Sequence, residues 1–192
     1  MSNSCHQKIS LIGLVWVALV VAFPAFASAD AGFEVTHMEL VPDQEQYLLN
    51  ADIDYRFSDE ALEALANGVP LTLEVRLQVR RKGAWIWEQD VLDVRLRYQL
   101  RYQALAEIYQ VTDLQSGGQQ SFVTRQSALS ALGQIRKFPV LEQTHLKAGV
   151  EYEVALETVL DIEALPLPLR PMAYLTPAWK LTSEWKRWLL VP

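Results

Sequence analysis

Cysteine is almost missing from this sequence: among 192 residues only Cys5 carries a thiol. No disulfide can close within one copy of the chain, and no cluster of thiolates is present to hold a metal. Histidine is also scarce. Beyond His6 there are only His37 and His145, and neither stands in a zinc motif or a triad pattern. The sequence holds no G-x-S-x-G elbow, no phosphate loop and no dinucleotide fingerprint. An excess of basic residues is lacking too, since the formal net charge is −6. That balance argues against nucleic acid, and against an anionic membrane surface, as the main partner. Nothing in the sequence calls for a cofactor or a metal.

Long apolar runs are limited to one, Ile9 to Phe26. Met1 to Lys8 before it is short and basic, and Ala27-Ser28-Ala29 after it fits a small-x-small cleavage site. Residues 1–29 are therefore expected to be a signal peptide, with residues 30–192 forming a single exported domain that begins at Asp30. A chain exported without disulfides is compatible with a bacterial periplasm. The alternative is an uncleaved inner-membrane anchor, which the run is rather short to make. Membrane contact is expected only through this segment. Cys5 precedes the run, so it is badly placed for lipoprotein attachment.

The most regular pattern lies between Val69 and Tyr102. Leu71, Leu73, Val75, Leu77 and Val79 alternate with Thr72, Glu74, Arg76, Gln78 and Arg80. A strand sends such sets to opposite faces, one apolar and one wet. Leu92, Val94, Leu96, Tyr98, Leu100 and Tyr102 form the inward set of a returning strand, with Arg95, Arg97, Gln99 and Arg101 outward. Arg81-Lys82-Gly83-Ala84 is the expected turn, its glycine free to take a positive φ. Trp85 and Trp87 fall out of phase with the return strand, so a bulge or break is expected near Glu88-Gln89-Asp90.

Gly32–Val41 and Tyr47–Phe57 read as two strands. Ser58 caps a short helix that Asn67-Gly68 ends. Glu107–Leu114 and Gln120–Val123 flank a Ser116-Gly117-Gly118 turn. Thr124 or Ser127 caps a second helix, stopped by Gly133. Ile135–Leu146 shows no regular period. Val150–Asp161 is a strand with Tyr152, Val154, Leu156 and Leu160 inward and Glu151, Glu153, Glu157 and Asp161 outward. Leu165–Pro171 reads as an extended, proline-stiffened crossover, and Trp179–Leu189 as the last strand, with Trp179, Leu181 and Trp185 in phase. About seven or eight strands with two short helices define a mainly β, two-layer antiparallel sandwich of immunoglobulin-like topology. The alternative is a single curved sheet with the helices on one face.

Several stretches, taken together and in order, carry a resemblance. They are LLNADIDYRFSDEALEALANGVPLTLEV, WIWEQ, LRYQLRYQALAEIYQV, LDIEALPLPLRPMAYLTPAW and the tryptophan-rich end. The chain resembles the domain of unknown function 4390 family, exported proteins of Gram-negative bacteria. The resemblance implies no catalytic residue. It implies a neighbourhood with membrane sensor kinases of the nitrogen-regulation type, whose genes often lie near those of the family.

Three groups of residues invite chemistry. Asn50, Asp52 and Asp54 line one strand face and would suit calcium or magnesium, but the loop geometry of calcium motifs is missing and a solvated strand face is the better reading. His37 and Glu39 point the same way and make a weak acid–base pair at best. The outward arginines are the main binding candidates: Arg95, Arg97 and Arg101, with Arg76 and Arg80 on the neighbouring strand. They suit an anionic partner, or else pair in rungs with Glu151, Glu153 and Glu157. Trp85 and Trp87 are candidate anchors near a hairpin tip. Arg170, inside Pro168-Leu169-Arg170-Pro171, sits in a P-x-x-P pattern, although a stiff crossover explains the prolines as well. The reading is an exported, non-enzymatic binding or protein-interaction module with a protein partner in the envelope, linked to envelope signalling. The alternatives are a carboxylate- or metal-dependent periplasmic hydrolase and a membrane-anchored structural envelope protein.

Overall fold

A computed structural model describes residues 31–84 and 91–192 of the protein. The tip of the central hairpin, with Trp85, Trp87 and the expected bulge at residues 88–90, lies outside the described residues. Among the described residues nine strands and three short helices follow one another. They are β1 (Gly32–Asp43), β2 (Gln46–Arg56), α1 (Asp59–Ala66), β3 (Leu71–Arg81), β4 (Leu92–Gln103), β5 (Ile108–Asp113), β6 (Gln119–Phe122), α2 (Arg125–Leu132), β7 (Gln134–Glu142), β8 (Tyr152–Leu160), α3 (Arg170–Leu175) and β9 (Lys186–Leu190).

The strands form two antiparallel sheets, one ordered β1-β2-β7 and the other β6-β5-β4-β3-β8-β9. This is the expected sandwich rather than a single curved sheet. The alternation in β3 and β2 explains the core. Leu71, Leu73, Val75, Leu77 and Val79 of β3 are buried together with Leu49, Ala51, Ile53 and Tyr55 of β2 and with Val154, Leu156 and Leu160 of β8. Phe33, Tyr55 and Phe57 close one side as an aromatic cluster, Phe33 meeting both of the others edge to face. At the centre, the Tyr55 hydroxyl lies 3.2 Å from the Thr158 hydroxyl, one residue from each sheet.

The helices close the ends. Ser58 Oγ accepts from the Ala61 amide at 3.2 Å and donates to the Ala178 carbonyl at 2.7 Å. One side chain thus caps α1 and ties it to the turn Pro177–Trp179. Where β2 ends and β3 begins, α1, the β4–β5 tip, the start of β1 and the segment after β8 all gather. This is the lower end of the sandwich. Thr124 caps α2, which buries Ala128 and Leu132 beneath β5, β6, β2 and β7.

Four expectations need correction. Residues 135–146 were expected to be irregular, but β7 pairs antiparallel with β2 there. Lys137 holds φ at 49° and Pro139 lacks an N–H, so the register shifts and the period-two pattern is lost from the sequence. Leu165–Pro171 is not extended. It turns and enters α3, with Pro171 in the first helical turn, where a missing N–H costs nothing. The last strand is shorter than expected: Trp179 lies in a 3-10 turn, Thr182 makes one isolated bridge to Val159, and β9 starts only at Lys186. Finally, the polar face of β3 is not fully wet, because Thr72 and Glu74 are buried.

Gly133 stands where α2, β2 and β7 meet. Its carbonyl accepts from the Ile53 amide at 2.8 Å, and a Cβ at 133 would enter the van der Waals shell of the Ile53 carbonyl oxygen. Backbone cannot yield there as a side chain would. Gly133→Ala is expected to lower stability by about 1–3 kcal/mol through overpacking, read as a fall in the urea midpoint.

Candidate interaction surfaces

The outer face of the six-stranded sheet is built by register. Arg76 stands opposite Glu157 on β8 and opposite Arg95 on β4, and Glu74 stands opposite Arg97. Arg76 Nε donates to Glu74 Oε1 at 2.6 Å and its Nη1 to Glu157 Oε1 at 3.0 Å. Arg97 Nη2 lies 2.5 Å from Asp161 Oδ2, and its Nε is 3.9 Å from Glu74 Oε2. Glu74 and Glu157 are each 8% exposed, so these carboxylates need their cations. The hydrogen bond to Glu74 is the main reason the Arg76 guanidinium is held above its usual pKa, burial opposing it. Further out, Lys82 meets Glu151 at 2.7 Å and Arg187 meets Glu153 at 3.7 Å. The rung pairing expected between the basic strand and the acidic strand β8 is therefore present.

Two of the candidate arginines escape that network. Arg95 has its side chain 61% exposed, and among the described residues the carboxylate it meets is Asp93, 3.8 Å away on the same strand. Arg101 is exposed and stands opposite Gln110, because β5 supplies no acid there. Among the described residues no carboxylate pairs with it. Beside it runs a chain of amides, Gln103 Nε2 donating to Gln110 Oε1 and Gln110 Nε2 to Gln119 Oε1, both at 2.7 Å. Arg97 is engaged and plays a structural part. Arg170 is structural as well: its Nε donates to the Leu165 carbonyl at 2.7 Å and stiffens the turn into α3, with Glu163 3.8 Å from its Nη1. Of the tryptophans described, Trp179 is buried and Trp185 and Trp188 are half-buried.

The acidic strand face on β2 is divided among cations. Asp52 pairs with Arg136, Asp54 lies 3.4 Å from Arg56, and Asn50 donates to Glu39 at 3.0 Å while accepting from the Lys137 amide at 2.9 Å. His37 stands opposite Asp52 in a shallow depression with Glu39, Arg136 and Lys137. His145 is elsewhere, beside Lys147 and Tyr152. Among the described residues no three His, Cys, Asp or Glu side chains are grouped to hold a metal. Arg136 and Lys137 were missed in the sequence because they fall in the stretch without a period.

A cleft was missed as well. The three-stranded sheet is too narrow to cover β4, β5 and β6, and α2 fills only part of the gap. What remains is a recess of about 350 Å³ lined by Tyr98, Val111, Ile135, Phe138, Asp113 and Arg136 among others. Its size is at the lower limit for a small ligand. Asp113 is turned to its own loop, accepting from the Gln115 amide at 2.9 Å and the Ser116 hydroxyl at 2.7 Å.

These features define an antiparallel β-sandwich with a charge-laddered outer sheet face. Residues 30–189 match the family model described as Domain of unknown function (DUF4390), and the chain belongs to that family. No curated protein and no solved structure matches it.

Two outcomes follow from this geometry. Burial, and then the charge of Asp113, push the Tyr98 phenol up to about 12. The folded state thus holds this proton more tightly than the unfolded chain, whose tyrosines ionise near pH ~10. The stability it contributes is whole below pH ~10 and falls as the pH rises through the folded value. Alkaline difference spectra should show two late-ionising tyrosines, Tyr55 and Tyr98, and Tyr98→Phe should remove the earlier of the two. The second outcome contrasts two charges. Glu74→Ala strips Arg76 and Arg97 of a buried partner and should cost about 1–3 kcal/mol. Arg101→Ala should change stability by under about 0.5 kcal/mol in the same urea titration.

Proposed function

We propose that the protein is an exported periplasmic interaction module with no catalytic role of its own, which docks the outer β4–β5 face onto an acidic patch of an envelope protein. The observation that carries this is Arg95 and Arg101. They are the arginines of the candidate surface that the ladder does not neutralise, and they flank Arg97, whose guanidinium is engaged by Asp161 and Glu74, on one strand. Guanidinium groups held on a strand present forked donors to carboxylates with little further ordering. The flat amide field of Gln103, Gln110 and Gln119 supplies uncharged hydrogen-bonding surface around them. The neighbourhood that the family resemblance implies points to a membrane signalling protein as the class of partner.

The strand order supports an immunoglobulin-like reading of the sandwich. β1, β2 and β7 take the places of strands A, B and E, and β9-β8-β3-β4-β5 those of G-F-C-C′-C″. On that reading the docking face is the larger sheet.

The test is affinity capture from envelope extracts with the protein, the Arg95→Glu/Arg101→Glu variant and the Arg95→Lys/Arg101→Lys variant. An acidic envelope protein should be captured in a salt-sensitive manner, weakly by the lysine variant and not at all by the glutamate variant. Capture of the same proteins by all three would remove the surface from consideration.

A further inference from the structure

The lower end of the sandwich carries the apolar side chains that the core leaves outside. Leu105 stands wholly exposed at the β4–β5 tip, and Leu175, on α3, is 83% exposed. Leu167 and Met172 lie beside it in the same segment, also exposed, and Val123 follows β6 as that strand returns to this end. Tyr174 of α3 joins them, 46% exposed, while the other large exposed apolar residues, Leu114 at mid-sheet and Val41, Leu189 and Val191 toward the opposite end, are each less exposed than Leu105, Leu167, Met172 and Leu175.

The gathering is a product of topology. α1 packs against both β4 and the turn Pro177–Trp179, and α3 packs on that same turn, so the β4–β5 tip and α3 flank α1 at one end. Neither Leu105 nor Leu175 is needed by the core, whose lower end is already closed by Leu65, Leu71, Leu165 and Ala173. An apolar tip and an apolar helix face left in water would be a liability unless something covers them.

The place where the described chain begins bears on this end. Gly32 opens β1 opposite Arg56, at the lower end. The apolar run Ile9–Phe26 therefore precedes the fold by only a few residues, at the end where these side chains project. We propose that this end rests on a lipid bilayer, with the Ile9–Phe26 segment retained as the tether and Leu105, Leu167, Met172 and Leu175 dipping into the boundary between headgroups and acyl chains. This takes the uncleaved fate of the segment, not cleavage after Ala29. Lipid is the occupant rather than an anionic surface, because α1 at the same end exposes Asp59, Glu60 and Glu63. The contact is made by apolar insertion, so zwitterionic lipid suffices and added salt does not release it.

The scarcity of cysteine makes the test direct. Full-length chain with Cys5→Ser receives one cysteine at a time, Leu105→Cys, Leu175→Cys or Val191→Cys, each at an exposed site. Each is labelled with a fluorophore and reconstituted into phosphatidylcholine vesicles whose acyl chains are brominated. Labels at 105 and 175 should be quenched several-fold more than the label at 191. Equal quenching at all three, or none at 105 and 175, overturns the proposal. Labels at 105 and 175 shielded from aqueous iodide yet untouched by the brominated lipid would give this end to a protein neighbour and overturn it equally. The mass of the protein taken from cell envelopes should retain residues 1–29, and a chain starting at Asp30 would overturn the tether.

Discussion

Two sheets of unequal width must be held at one offset, and apolar packing alone does not fix it. Burial of leucine and valine is non-directional and would tolerate some sliding. The hydrogen bond between Tyr55 and Thr158 is directional, and both residues lie in the core. Thr158 is held in turn by Ser183, whose hydroxyl accepts from the Thr158 amide at 3.0 Å and whose amide donates to the Thr158 carbonyl at 2.9 Å. A phenol or hydroxyl buried without a partner costs about 1–3 kcal/mol, so any offset that separated them would be penalised. Burial pushes the Tyr55 phenol well above its usual pKa, and the ring packs against Phe33 and Phe57. The start of β1, the end of β2 and the segment after β8 all take their positions from this contact.

With the offset fixed, the rest of the architecture follows from the mismatch in width. The β1-β2-β7 sheet covers β3 and β8 well and leaves β5 and β6 to α2. The cleft beside Tyr98 is what that substitution leaves open. On the other side of the larger sheet no layer stands among the described residues, and the long arginine side chains lie over the strands instead. The heads of Arg76 and Arg97 meet Glu74 and neutralise it, which is how a carboxylate comes to be buried on an outer face. Where β5 offers glutamine instead of acid the cover fails to neutralise Arg101, and where β3 sets Arg76 opposite Arg95 it fails to neutralise Arg95.

Much of this was legible in the sequence, for physical reasons that differ by element. The alternation in β2, β3, β4 and β8 was clear because one face of each is in the core. The cap Ser58 and the stop at Gly133 were clear because such residues beside apolar runs have few other uses, while the second cap stood open between Thr124 and Ser127 until the structure gave it to Thr124. β7 was hidden by Lys137 and Pro139, which shift the register and so erase the period. α3 was hidden by its length and its prolines. In the stretch from Trp179 to Ser183 the sequence alternates as a strand would, yet the backbone makes one bridge and no ladder. For the candidate surface, the pairing of arginines with the acidic strand was legible, since both strands carried matched charges. Which arginines remain outside the ladder was not, because that depends on which residue of β3 or β5 faces each, and register is not written in any one strand alone.

The irregularity of β7 has a meaning beyond its own pairing. Every open sheet ends in a row of amides and carbonyls that another molecule's strand can use. At β7 that row is bent by Lys137 and interrupted by Pro139, which has no proton to lend. At the far side of the other sheet, β6 is only four residues long, and β9 begins with Lys186 and Arg187. A foreign strand therefore finds a broken, brief or charged template at each of these edges. The same proline that conceals β7 from a reader of the sequence guards this edge of the smaller sheet against a foreign strand.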